Sequence, residues 1–94
     1  MVKVVAQSTL LSGKVQEAIK VYEELVSKTR EEEGCITYEL YQDEKNPSIL
    51  TMIEEWESRE ALDRHMKTEH FLRIVPIVDK FKVDGQLNIY HKVL

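Results

Sequence analysis

Residues 35–56 read CITYELYQDEKNPSILTMIEEW. Two runs rich in β-branched and aromatic side chains flank Lys45-Asn46-Pro47-Ser48, a set of residues suited to a turn. Successive side chains on a strand point to opposite faces. In the first run, Cys35 to Asp43, Ile36, Tyr38 and Leu40 therefore share one face and Thr37, Glu39 and Tyr41 the other. The second run, Ile49 to Trp56, is the partner strand of a hairpin, and Glu54 and Trp56 lie on one face of it.

Upstream, VKVVAQST (2–9) predicts another strand. Ser12 is placed to cap a helix, with Gly13 just inside its start. Val15, Ala18, Ile19, Tyr22, Leu25, Val26 and Thr29 then recur at spacings of three and four, which is the apolar stripe of an amphipathic helix. Gly34 supplies the stop, since glycine tolerates the left-handed conformation beyond a helix end. The preceding Glu31-Glu32-Glu33 sits at a helix C-terminus, where the dipole disfavours negative charge. It reads as a solvated end.

Downstream, Ser58 caps a second helix with Glu60 in its first turn and Ala61, Leu62, His65 and Met66 inward. A break near Thr68 leads to a short helix from His70 to about Phe81, kinked or split by Pro76. Asp84-Gly85 reads as a turn. Gln86 to Leu94 alternates as a last strand, apolar to its end, which suggests that the end is covered. The order is β-α-β-β-α-β, the α+β ferredoxin-like pattern, in one domain over 1–94. Two amphipathic helices cover one face of the sheet.

Composition narrows the function classes. The chain has 94 residues, 43% hydrophobic and 32% charged, with net charge −4. A chain this short supports one core and is marginal alone. Lys and Arg form no basic stripe, so phosphate neutralisation cannot carry nucleic-acid binding. No apolar run approaches the roughly 18–20 residues of a membrane span, and MVKVVAQST lacks the apolar stretch of a signal peptide. The lone Cys35 cannot form an internal disulfide and reads as a small core residue. These features fit a cytoplasmic protein.

The run 54–71, EEWESREALDRHMKTEHF, resembles the signature of the antibiotic biosynthesis monooxygenase (ABM) family. It has an acidic residue late in the third strand (Glu54), an aromatic two places on (Trp56), and Glu60-Ala61-Leu62. A histidine follows three residues after that triplet (His65), and then the tail Thr68-Glu69-His70-Phe71. Glu33-Gly34-Cys35-Ile36, followed by Tyr38 and Asp43, is similar to the family's crossing from helix to strand. The resemblance covers nearly the whole chain. It implies a homodimer whose two sheets form a dimeric α+β barrel, with a pocket in each subunit between sheet and helices. It also implies the family's best-understood reaction, oxidation of small phenolic or quinol substrates by O₂ without metal or flavin. No Gly-rich phosphate loop for a flavin or nicotinamide is present, so no cofactor is expected.

The candidate catalytic residues are His65 and Glu54. Imidazole titrates near neutral pH and suits a general base; the plainer reading is a structural histidine bonded to backbone. Glu54 would be costly to bury without a partner, and a hydrogen bond to His65 would satisfy both groups. Trp56, Tyr38, Met52 and Phe71 are candidate substrate-binding residues, each with core packing as its simpler role. His65 and Trp56 are expected to converge on an apolar cavity of a few hundred Å³, the size of a small-molecule site. No metal site is expected: His65 and His70 would stand about 140° apart on a continuous helix. Two further functions fit the same fold. One is an isomerase or lyase acting on a small oxygenated metabolite. The other is a binding or stress-associated protein without catalysis. Haem degradation fits poorly, because that branch carries an Asn in the first strand, where this chain offers Gln7, and typically a Trp at the position of His65.

Overall fold

The computed structural model describes residues 1–94. Its elements are β1 (Val2–Leu10), α1 (Val15–Thr29), β2 (Cys35–Gln42), β3 (Ile49–Trp56), α2 (Arg59–His65), α3 (Glu69–Asp79) and β4 (Lys82–His91). The strands form one antiparallel sheet in the order β2-β3-β1-β4. This is the α+β ferredoxin-like arrangement, with the second helical stretch divided in two.

Register assigns the two faces. Val4 lies opposite Glu54 and Ile89, and Ala6 opposite Met52 and Leu87. These side chains share the helix-covered face with Tyr38, Leu50 and Trp56, and most of the core lies there. α1 contributes Ala18, Tyr22, Leu25 and Thr29, all from the predicted stripe. α2 adds Ala61, Leu62 and His65, and α3 adds Ile74 and Val78.

Several local expectations change. Ser12 does not cap α1, which begins after Lys14 without a side-chain cap; Gly13 turns the chain ahead of it at φ +79°. Ile36 is 47% exposed rather than buried, because the β2–β3 register shifts between Cys35 and Thr37. Asp84-Gly85 is no turn but lies inside β4, which already begins at Lys82. β4 ends at His91, and Val93 and Leu94 are fully out in solvent, so nothing in the subunit covers the chain's end. α3 runs through Pro76 unsplit.

The break near Thr68 has a clear cause. The Thr68 hydroxyl donates to the carbonyl of His65 (2.7 Å) and accepts the amide of Phe71 (3.3 Å). One side chain thus closes α2 and caps α3, relieving backbone groups that a helix end leaves unpaired. Ser58 caps α2 in the same way, accepting the amide of Ala61 at 3.1 Å.

Candidate active site

The site is assembled by three segments that meet at the end of β3. The first is the turn after α1. Gly34 adopts φ +88°, and a Cβ there would stand 2.6 Å from the Cβ of Ala61. Only glycine lets the backbone pass this close to α2 in this conformation. The Glu57 amide donates to the Gly34 carbonyl at 2.8 Å, fixing the approach. Residues 31–33 are thereby held against the helical side, and Glu32 is directed inward.

The second segment is β3. Glu54 and Trp56 are both buried, and the Trp56 indole N–H donates to Glu54 Oε1 at 2.9 Å. The third is α2 with the start of α3. The His65 ring packs 4.6 Å from Trp56, 5.3 Å from Tyr38 and 5.0 Å from Phe71, centre to centre. Tyr38 also meets the Trp56 ring edge-on at 6.4 Å. Such offset and edge contacts favour the aromatic quadrupoles. Trp56, Tyr38 and Phe71 are therefore in ring contact around His65, with Glu54 bonded to the Trp56 indole. Met52 lies one step back along the same face of β3, in the core.

The partner of His65 differs from the expected one. Its Nδ1 lies 2.8 Å from Glu32 Oε2, not on Glu54, and the same oxygen lies 2.6 Å from His70 Nε2. The run read as a solvated end therefore supplies a site residue. His70 also enters the site, because α2 and α3 are separate helices and the 140° spacing of a continuous one does not apply. The available signal was an acidic residue two places before a glycine turn, with one histidine at the end of α2 and another at the start of α3.

Burial sets the protonation states. It pushes the His65 imidazole below its ordinary range, with Glu32 pulling partly back. It raises the Glu54 carboxyl to about 7; the indole N–H opposes this and the charge of Glu32 adds to it. Tyr38 is raised well above the ordinary phenol range, again mainly by burial. Cys35 is pushed up to about 11 by burial and by Glu32 and Glu54, so it is no thiolate near neutral pH.

Beside these groups is a cavity of about 40 Å³ lined by Val4, Glu54, Leu62, His65, Met66, Phe71, Leu87 and Ile89. It is smaller than the few hundred Å³ expected, and Trp56, Tyr38 and Met52 stand behind its wall rather than in it. The two largest clefts, about 480 and 400 Å³, contain none of the predicted site residues. Glu32, His65 and His70 bring ligand-type atoms within 4.8 Å of one another, a spacing that could hold a divalent ion. Their 2.6–2.8 Å contacts are hydrogen-bond distances. Donors around a common tetrahedral ion would stand about 3.3 Å apart, from metal–ligand distances near 2.0–2.1 Å.

Comparison with known proteins places this geometry. The family model for antibiotic biosynthesis monooxygenase matches residues 1–76. A conserved protein from Methanosarcina mazei Go1 superposes with a TM-score of 0.96 at 40% identity, covering 98% of this chain and 92% of the other. A crystal structure described as an antibiotic biosynthesis monooxygenase gives 0.94 at 40% identity, with both chains fully covered. An uncharacterized Synechocystis protein is 36% identical over 62 residues, 66% of this chain. The match spans 42% of that relative's length, and 57% of the Bacillus subtilis relative YjcS. By sequence and by fold, this chain belongs to the antibiotic biosynthesis monooxygenase family.

Proposed function

We propose that the protein is a cofactor-independent monooxygenase that oxidises a small phenolic or quinol substrate with O₂, with His65 as the base. The observation that carries this reading is the cavity wall. Six of its eight residues are apolar, and the two exceptions, His65 and Glu54, are an imidazole and a carboxyl. With Nδ1 engaged by Glu32, His65 keeps Nε2 free of any protein hydrogen bond. An apolar wall with one base suits a flat aromatic ring; a small phosphorylated metabolite would need several charges, so the isomerase reading is less favoured.

The chemistry balances without a resident cofactor. His65 Nε2 takes the phenolic proton, and the anion passes one electron to O₂. The aryl radical and superoxide recombine to form a carbon–oxygen bond, giving a ring-bound peroxide anion that is protonated in turn. Loss of the ring hydrogen and cleavage of the O–O bond then yield the quinone and one water. One oxygen atom enters the ring and the other leaves as water. Protein groups supply desolvation, orientation and proton transfer. Glu54, raised to about 7, is matched to give or receive a proton near neutral pH. A ring needs a cavity of roughly 150 Å³, so entry displaces the side chains of Met66 and Leu87. Met66 is unbranched and adaptable, and Leu87 is 59% exposed on the edge strand.

The test is oxygen uptake with menadiol-like hydroquinones. His65→Ala should lower turnover by about 10²–10⁴-fold, the usual contribution of a general base, with the far-ultraviolet dichroism unchanged. Equal uptake by wild type and variant would remove His65 from the chemistry.

We further propose a homodimer closed through the other sheet face. That face carries Val5, Ile53, Tyr41 and Tyr90 among Gln7, Glu39 and Asn88. The mixture is too apolar for a solvated face and resembles an interface.

A further inference from the structure

We propose that Glu32 and His70 are positioning residues for His65: Glu32 holds the imidazole as its Nδ1–H tautomer, and His70 holds Glu32. Glu32 lies outside the run that carries the family resemblance; His70 lies within its tail, where the sequence assigns it no role. The inference rests on the reading of His65 as the base, and it explains how that base is kept ready.

The geometry carries it. An ionised carboxylate can only accept, so a single oxygen within 2.8 Å of His65 Nδ1 and 2.6 Å of His70 Nε2 receives an N–H from each. The proton on Nδ1 leaves the lone pair on Nε2, the nitrogen without a protein partner. A neutral imidazole has one donor and one acceptor nitrogen, and the hydrogen bond at one fixes the role of the other. Without Glu32, the ring could carry its proton on Nε2 and present a donor to a phenol that must lose a proton. His70 adds the second constraint. Its N–H occupies the same carboxylate oxygen from α3, while Gly34 fixes the backbone that carries Glu32. All three side chains are largely shielded, at 13%, 2% and 14% exposure for Glu32, His65 and His70. Water therefore competes poorly for these bonds. The charged and titratable groups around the ring are Glu32 before β2, His70 on α3, Tyr38 on β2, and Glu54 on β3, which shares the cavity wall with it. Among them only Glu32 touches Nδ1.

The test is a ¹⁵N NMR titration of the His65 ring in the unliganded protein, for wild type, Glu32→Gln and His70→Phe. It requires no turnover. In wild type the neutral ring should be the Nδ1–H tautomer, with the pyridine-type resonance on Nε2. Glu32→Gln should mix in the Nε2–H tautomer, because the amide can donate to Nδ1, and should lower the imidazole pKa by removing the neighbouring charge. It should also lower kcat on the order of 10²-fold or more with KM little changed, as loss of a tautomer-fixing carboxylate does elsewhere. His70→Phe should give a smaller shift in the same direction. A wild-type ring already in the Nε2–H form would overturn the proposal, and that result needs no variant to fold. Unchanged tautomer and kcat in a folded Glu32→Gln would overturn it equally. If His65→Ala retained oxygen uptake while Glu32→Gln still shifted the tautomer, the base reading would fail and the positioning geometry would stand.

Discussion

The two faces of the sheet are built from the same four strands and differ in what they bury. On the helix-covered face, side chains from β1 and β3 are close-packed, and two ionisable groups, Glu54 and His65, are sealed among them. On the open face, Tyr41 and Tyr90 are each 49% exposed and sit beside polar neighbours that need water or a partner. A sealed carboxyl and imidazole cost stability unless they are paired. Both are: Glu54 with the Trp56 indole and His65 with Glu32. Pairing returns only part of the desolvation cost, and a purely apolar core would avoid that cost altogether. The open face is incomplete in a different way, lacking a covering layer.

Perturbing the two faces should give opposite results. The largest stability effect belongs to the covered face. Trp56→Ala removes a fully buried ring and the indole donor to Glu54, and should cost about 3–5 kcal/mol in chemical denaturation. Ile53→Asp, on the open face, should leave the fold intact yet turn the proposed 22 kDa dimer, twice the 11.0 kDa chain, into a monomer. Sedimentation equilibrium at low micromolar concentration measures this. A wild-type monomer would remove the dimer and the barrel together. A stable dimer should bury at least about 1,200 Å².

The next effect is tied to pH. Burial raises Glu54 from its ordinary 4.5 to about 7, so the folded state holds this proton more tightly than the unfolded chain does. The favourable contribution is complete below about 4.5 and is lost as pH rises through about 7. Relative to Glu54→Gln, whose amide oxygen can still accept the Trp56 indole N–H, the wild type should lose on the order of 3 kcal/mol across that window, at 1.36 kcal/mol per pH unit. Parallel stability curves for the two proteins would show that Glu54 titrates normally. The smallest effect is expected at the surface. Arg73 joins Glu24 of α1 to α3, but both side chains are 43% exposed. Arg73→Ala should leave the unfolding midpoint in denaturant nearly unchanged, since exposed ion pairs are screened by water and salt.

Much of this was legible in the sequence, for identifiable reasons. Elements with strong periodicity were readable: the α1 stripe lands on Ala18, Tyr22, Leu25 and Thr29, and the alternation of β3 buries every second residue from Leu50 to Trp56. The ABM-like run 54–71 brought Glu54, Trp56, His65 and Phe71 to one place. Local chemistry misled where tertiary pairing overrode it. Asp84-Gly85 has turn residues, yet Gly85 pairs with Ser8 inside the sheet. Ile36 belongs to the apolar alternation, yet the register shift after Cys35 turns it outward. The role of Glu32 was hidden for a different reason. Its partners are 33 and 38 residues away, and no spacing rule within one element connects them. The cavity volume was beyond sequence as well, because it depends on how Leu62, Met66, Phe71 and Leu87 fill the space beside His65.

Where the atoms of O₂ go tests the central claim most directly. The purified protein is mixed with a small hydroquinone that has an unsubstituted ring carbon, under O₂ enriched in the heavy isotope, and the product is read by mass spectrometry. The proposed reaction places one labelled oxygen in the quinone and the other in water, and His65→Ala should give neither above background. Unlabelled quinone with the oxygen recovered as hydrogen peroxide, or no oxygen consumed across a panel of phenols and hydroquinones, would contradict monooxygenation at this site.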